Sequence, residues 1–226
     1  MLHHSVLSLL IWLPVVGSFF IMMSSASSSP TFARFFSLII ALLSMGMCWF
    51  LISSFNPATA DMQFVQNAIW IPDLGIHYAL GVDGISMPLV VLTCFTTLIV
   101  VVASWTMVHE KVAQYLAAFL MMQGMVVGVF CALDSVLFYF FWEAMLIPMY
   151  LSIGIWGGAN RSYAAIKFFM YTFFGSALML IALLYLRMES GTFSILSWYA
   201  LPLTAWQQKL IFLAFFISFA VKVPMW

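Results

Sequence analysis

Long uninterrupted apolar runs decide what this chain can become. About seven can be read by hydropathy, roughly residues 5–23, 35–55, 84–108, 112–133, 135–156, 163–187 and 210 to the end. About 20 apolar residues in helical form cross a bilayer core some 30 Å thick. No water reaches the backbone there, so each run must satisfy its own N–H and C=O groups, as a helix does. The chain is 65% hydrophobic and only 6% charged, against roughly 25% charged in a soluble domain. The expected fold class is an all-α polytopic membrane protein. Net charge is zero, which leaves no basic face for nucleic acid.

The connections are short except one. Between the second and third runs lies the stretch 56–83, with Asp61, Asp73 and Asp83 and no Lys or Arg. Within it, residues 67–77 read as an amphipathic or strand-like piece that could lie on the membrane surface. The first run lacks the basic residue expected before a signal-peptide core, so a retained helix is favoured. Arg34, Lys111 and Arg161 fall in alternate loops, which by the positive-inside rule puts the N-terminus outside the cytoplasm, although Arg187 and Lys209 weaken the bias.

Two charges interrupt the apolar runs where charge is costly. Glu143 lies eight residues after Ser135, about 12 Å deep at ~1.5 Å per residue. That is near the middle of a ~30 Å core, where an ionised side chain costs at least ~2.5 kcal/mol. Lys222 lies in the last run, and Pro224, two residues on, cannot donate to the Ala220 carbonyl. The helix is therefore expected to break near the lysine. Buried groups of opposite sign beside a broken helix suggest a path for protons or ions. Pro148, five residues after Glu143, is expected to kink that helix and make room for water.

Other candidates have blander explanations. Lys167 is shallow enough to snorkel to the interface. Asp134 is placed to cap the fifth helix, with a second role in shifting the field near Glu143. Cys48, Cys94 and Cys131 are odd in number, show no C-x-x-C spacing and read as core or lipid-facing residues. The histidines His3, His4, His77 and His109 are not at metal-ligand spacing on a helix. No nucleotide, nucleophile-elbow or zinc motif is present, so this chain is expected to carry no cofactor or redox centre by itself.

The stretches G81-V-D-G-I-S-M-P-L-V-V-L-T93, F138-Y-F-F-W-E-A-M-L-I-P-M-Y150, K167-F-F-M-Y-T and F219-A-V-K-V-P-M-W226 resemble the antiporter-like membrane subunits of proton-pumping NADH–quinone oxidoreductase. Among these the likeness is to subunit M, chain 4 of the mitochondrial enzyme. The family is also similar to subunits of multisubunit cation/proton antiporters. The resemblance implies a 14-helix fold with two inverted five-helix repeats and a discontinuous seventh helix. It implies proton-transfer roles for Glu143, Lys222 and Lys167, with the helix break at Pro224.

Family members run to about twice this length, so the chain reads as the N-terminal half of a longer protein. On that reading residues 1–133 hold helices one to four, and 134–226 open the proton-translocation module with helices five to seven. Flavin, iron–sulfur clusters and quinone are then expected in partner subunits. The partners would be other membrane subunits, neighbouring antiporter-like ones included, within the lipid bilayer. The membrane would be the bacterial inner membrane, with a periplasmic N-terminus. The alternatives are a cation/proton antiporter subunit and an inert fragment of the parent.

Overall fold

The computed structural model describes residues 2–24, 29–223 and 225. Helices α1 (Leu2–Ser24) and α2 (Pro30–Ser54) are followed by an antiparallel hairpin of β1 (Gln63–Ile71) and β2 (Ile76–Val82). Then come α3 (Ser86–Met107), α4 (Val112–Cys131), α5 (Ser135–Ala144), α6 (Leu146–Trp156), α7 (Arg161–Ser190), the single turn α8 (Ile195–Trp198) and α9 (Ala205–Lys222). The hairpin is the strand-like piece expected between the second and third runs. A 3-10 turn, Pro72–Leu74, closes it, and Gly75 supplies the left-handed residue at φ 68°.

Six helical stretches among the described residues are long and apolar enough to cross a membrane: Ser5–Ser24, Pro30–Ser54, Ser86–Met107, Val112–Cys131, Ser135–Trp156 and Arg161–Ser190. The seventh expected span is α9, 18 residues long. Its opening turns carry Gln207, Gln208 and Lys209, which lower its hydropathy. Thr204 and Gln207 close it with a reciprocal capping box.

Apolar residues cover the outside of the bundle as well as filling most of its interior. Phe19, Ile39, Leu42, Trp49, Leu92 and Ile99 face outward, while Ser18, Ser37, Ser44, Thr97, Ser104 and Gln123 are buried. Lipid tails accept the apolar exterior, so tight packing rather than water exclusion holds the helices together. Buried hydroxyls turn back on their own helix: Ser18 to the Val15 carbonyl at 2.7 Å, Thr97 to Thr93 at 3.0 Å and Ser104 to Val101 at 2.7 Å. The α1–α4 contact is closest at Gly124, where a Cβ would fall on the Ile11 carbonyl oxygen and within 2.5 Å of Val15.

The main core joins Leu7, Leu10 and Ile11 of α1 to Met125, Val127 and Cys131 of α4 and to Leu137 and Phe141 of α5. Cys48 and Cys94 complete it, so all three cysteines are core residues with free thiols. No group of three or more His, Cys, Asp or Glu able to hold a metal occurs among the described residues.

The two ends of the bundle differ. At one, Arg34 donates to the Val108 carbonyl at 3.0 Å, Trp156 to the Glu110 carbonyl at 3.0 Å, and Arg161 to the Ile155 carbonyl at 2.7 Å. Arg34 near the start of α2, Lys111 between α3 and α4, and Arg161 at the start of α7 therefore share that end. The hairpin occupies the other. There Asp83 accepts from the Ser86 N–H at 2.7 Å and the Ile85 N–H at 3.0 Å at the start of α3. These donors, Ser86 first, hold its carboxyl below the usual carboxylate range.

Candidate functional site

The fifth apolar run is not one continuous helix. It divides at Met145 into α5 and α6. Pro148 has no N–H to offer Ala144, four residues earlier, and its ring crowds that carbonyl. The proline therefore acts one turn before its own position, beside Glu143.

Asp134 starts α5. Its carboxylate accepts from the Val136 N–H at 2.9 Å and the Leu137 N–H at 3.2 Å, which makes it the helix cap. The same carboxylate accepts from the His77 N–H of β2 at 3.1 Å. Neighbouring backbone bonds join the turn to the rest of that end: Leu133 N–H to the Ala79 carbonyl at 2.8 Å, Ser135 N–H to Phe193 at 2.9 Å and Ile195 N–H to Leu133 at 3.0 Å. Asp134 is 2% exposed. Nine residues, or about 13 Å of helix, separate it from Glu143. Asp134→Ala would orphan three donors. The loss of the cap costs about 1–2 kcal/mol, and a lower unfolding midpoint in detergent would show it.

Glu143 faces α7. Ser176 of α7 interacts electrostatically with both Glu143 and Tyr139, one turn earlier on α5. The Ser176 hydroxyl also reaches the Phe173 carbonyl at 2.9 Å. Oε1 of Glu143 is buried without a hydrogen-bond partner among the described residues. The hydroxyls of Tyr139 and Ser176 are the polar groups beside the carboxyl on α5 and α7.

Lys222 comes to the same place from α9. Its Nζ donates to the Trp142 carbonyl at 2.6 Å and lies 3.9 Å from the centre of the Trp142 indole. It interacts electrostatically with Glu143, the next residue along α5. The expected pairing of Glu143 with Lys222 is therefore one of neighbourhood, with Trp142 as the direct partner. Pro224 lies outside the described residues. The Ala220 carbonyl is taken by the Met225 N–H at 3.1 Å, and α9 ends at Lys222.

The seat of α9 against α7 is tight. At Gly175 a Cβ would meet Val221 at 2.8 Å. The Ser218 hydroxyl, four residues before Lys222, accepts from the Met179 N–H at 3.1 Å and lies 2.6 Å from the Gly175 carbonyl. Those two groups are the i and i+4 partners of a helical turn, so Ser218 reaches into the α7 backbone ladder.

Lys167 stands apart. It is exposed near the start of α7, with its Nζ 5.7 Å from the Tyr163 ring. Trp142, Tyr139, Ser176 and Ser218 did not stand out in the sequence. Spacing could have found two of them, since Tyr139 is four residues before Glu143 and Ser218 four before Lys222, on the same helical faces.

Residues 132–226 match the profile of a family described as NADH:quinone oxidoreductase/Mrp antiporter, transmembrane. The chain is 43% identical over 238 residues to NADH-quinone oxidoreductase subunit M of Rhodobacter capsulatus, taking in 98% of this chain and 46% of that protein. A chain of respiratory complex I from Thermus thermophilus with bound NADH superimposes with a TM-score of 0.84 at 30% identity, covering 96% of this chain and 44% of that one. The Mrp complex from Dietzia sp. DQ12-45-1b shares the fold, with a TM-score of 0.79 at 17% identity over 94% of this chain and 23% of its counterpart. The chain spans about half the length of the curated relatives it matches, a share that fits one half of a 14-helix fold. With its membrane-spanning helices, the divided α5–α6 span and the half-buried charges beside it, the chain is similar to the membrane subunits of the NADH:quinone oxidoreductase/Mrp antiporter family, whose profile residues 132–226 match.

Proposed function

We propose that this chain is part of a proton-translocating membrane-arm subunit of NADH–quinone oxidoreductase. Electrons pass from NADH to quinone in other subunits, which hold the flavin and iron–sulfur clusters, and this subunit carries no redox step. The observation that supports the reading best is the meeting of Glu143 and Lys222 at the α5–α6 break, deep in a helical bundle. In water such a pair would do little. In hydrocarbon each charge strongly affects the proton affinity of the other. When the two draw apart, the lysine releases its proton to the next site along the membrane plane. Tyr139 and Ser176 offer hydroxyls through which Glu143 exchanges its own proton.

On this reading Asp134 anchors the α5 start, and Lys167 is an entry-side relay at the end of the bundle that holds Arg34, Lys111 and Arg161. That end faces the cytoplasm by the positive-inside rule and places the N-terminus in the periplasm of a bacterial inner membrane. Residues 134–226 open the translocation module. The direct partners are other membrane subunits, neighbouring antiporter-like ones included. The shared fold of the Mrp complex supports a second reading, a cation/proton antiporter subunit.

Lys222→Met in the assembled membrane enzyme separates the two readings. Loss of NADH-driven proton uptake, with the complex still assembled, is the expected result. Full proton uptake in that variant would remove the pumping role. Sodium/proton exchange independent of NADH, sensitive to the same substitution, would point to the antiporter.

A further inference from the structure

Trp142 does more at this site than fill space. Its ring is 8% exposed, stacked on Phe138 at 5.7 Å, met edge-on by Phe219 of α9 at 5.4 Å and packed by Met179 and Leu183 of α7. Its indole Nε1 is buried with no hydrogen-bond partner among the described residues. A buried N–H without a partner is a cost that a leucine or phenylalanine would avoid. Shape and greasiness alone therefore favour another residue here. What a tryptophan adds is the electron-rich face, the best of any side chain for attracting a cation. That face is where the Lys222 ammonium lies, 3.9 Å from the ring centre.

The main chain at the same residue completes the arrangement. Nζ donates to the Trp142 carbonyl at 2.6 Å, so one residue supplies both a ring face and an oxygen. The next residue, Glu143, supplies the carboxylate whose field the lysine feels. We propose that Trp142 is a positioning residue for Lys222, its indole face and carbonyl forming a resting place that competes with Glu143 for the ammonium. The lysine then has two seats one residue apart, and the ring sets how readily it leaves the carboxylate. This rests on the pumping reading above and adds to it the group that holds the lysine when the pair is apart.

The test uses the full-length chain in its assembled membrane complex, with NADH oxidation and proton uptake measured on the same vesicles. Trp142→Leu keeps an apolar side chain and the backbone carbonyl but removes the ring. It is expected to lower proton uptake per NADH about fivefold or more, the scale of a partly desolvated cation–π contact. Trp142→Phe should recover most of the loss. Site-specific replacement of Trp142 by mono- to tetra-fluorinated tryptophans weakens the ring's pull on a cation while keeping its shape. Proton uptake should fall stepwise along that series, which decides the matter even where Trp142→Leu does not assemble. Equal uptake in the Leu and Phe variants, or a flat fluorination series, overturns the proposal. Lys222→Met in the same membranes distinguishes the failures. If uptake survives there, the pumping reading itself is wrong. If it is lost there while the fluorination series stays flat, only the role of Trp142 is wrong.

Discussion

Glu143→Gln is expected to abolish NADH-driven proton uptake while leaving the complex assembled. The substitution preserves the side chain's size and polarity, so the packing of α5 on α7 is retained. It removes the one group on α5 that can carry a negative charge beside Lys222. An amide can neither take up a proton from the Tyr139–Ser176 hydroxyls nor modulate the lysine's hold on its own proton. The expected effect is a fall in uptake of at least tenfold, about 1.4 kcal/mol or more by the usual conversion. Acridine-dye quenching on inverted vesicles reads it. Restored pumping in a Glu143→Asp variant would locate the effect in the charge. Normal pumping in Glu143→Gln would take this residue out of the proton path.

Gly124→Leu is expected to prevent stable packing of α1 against α4, whereas Gly46→Leu leaves stability unchanged. Both glycines are within apolar helices and look equivalent in the sequence. At Gly124 any Cβ falls on the Ile11 backbone oxygen, which cannot swing aside as a side chain would. The two helices must separate, and the contacts of Leu7, Leu10 and Ile11 with the main core go with them. Overpacking usually costs about 1–3 kcal/mol, and a clash with backbone belongs at or above the top of that range. A Cβ at Gly46 meets nothing within 4 Å and faces outward. Leucine is also the better helix former there. The unfolding midpoints of the two variants in one detergent would show the contrast.

The placing of the helices was largely legible, because in a bilayer hydrophobic length decides where a helix can lie. Glu143 and Lys222 were legible for the same reason, as each is a costly exception within an apolar run. The hairpin was seen only as a strand-like fragment at residues 67–77, since its alternation is weak and it is pinned by long-range bonds such as that from His77 to Asp134. The kink in the fifth helix was legible from Pro148, and it falls at Met145 because a proline's effect reaches the carbonyl one turn upstream. Trp142 and Ser176 were hidden for a different reason. Their neighbours come from other helices, and no spacing along one chain segment reveals which face of α7 meets which face of α9.

The bond from Ser218 into the α7 backbone bears on timing. It fixes the last turn and a half of α9 to α7 just before Lys222. Trp142 and Glu143 are adjacent, so the lysine's tip passes between them by turning about its own side-chain bonds on a stationary Cα. Such a turn needs no sliding or tilting of helices, motions that take microseconds to milliseconds. On the proposed reading the local exchange therefore proceeds without any rearrangement of α9 against α7. The millisecond clock of such an enzyme has to be kept elsewhere, in whatever event upstream tips the balance between the lysine's two seats.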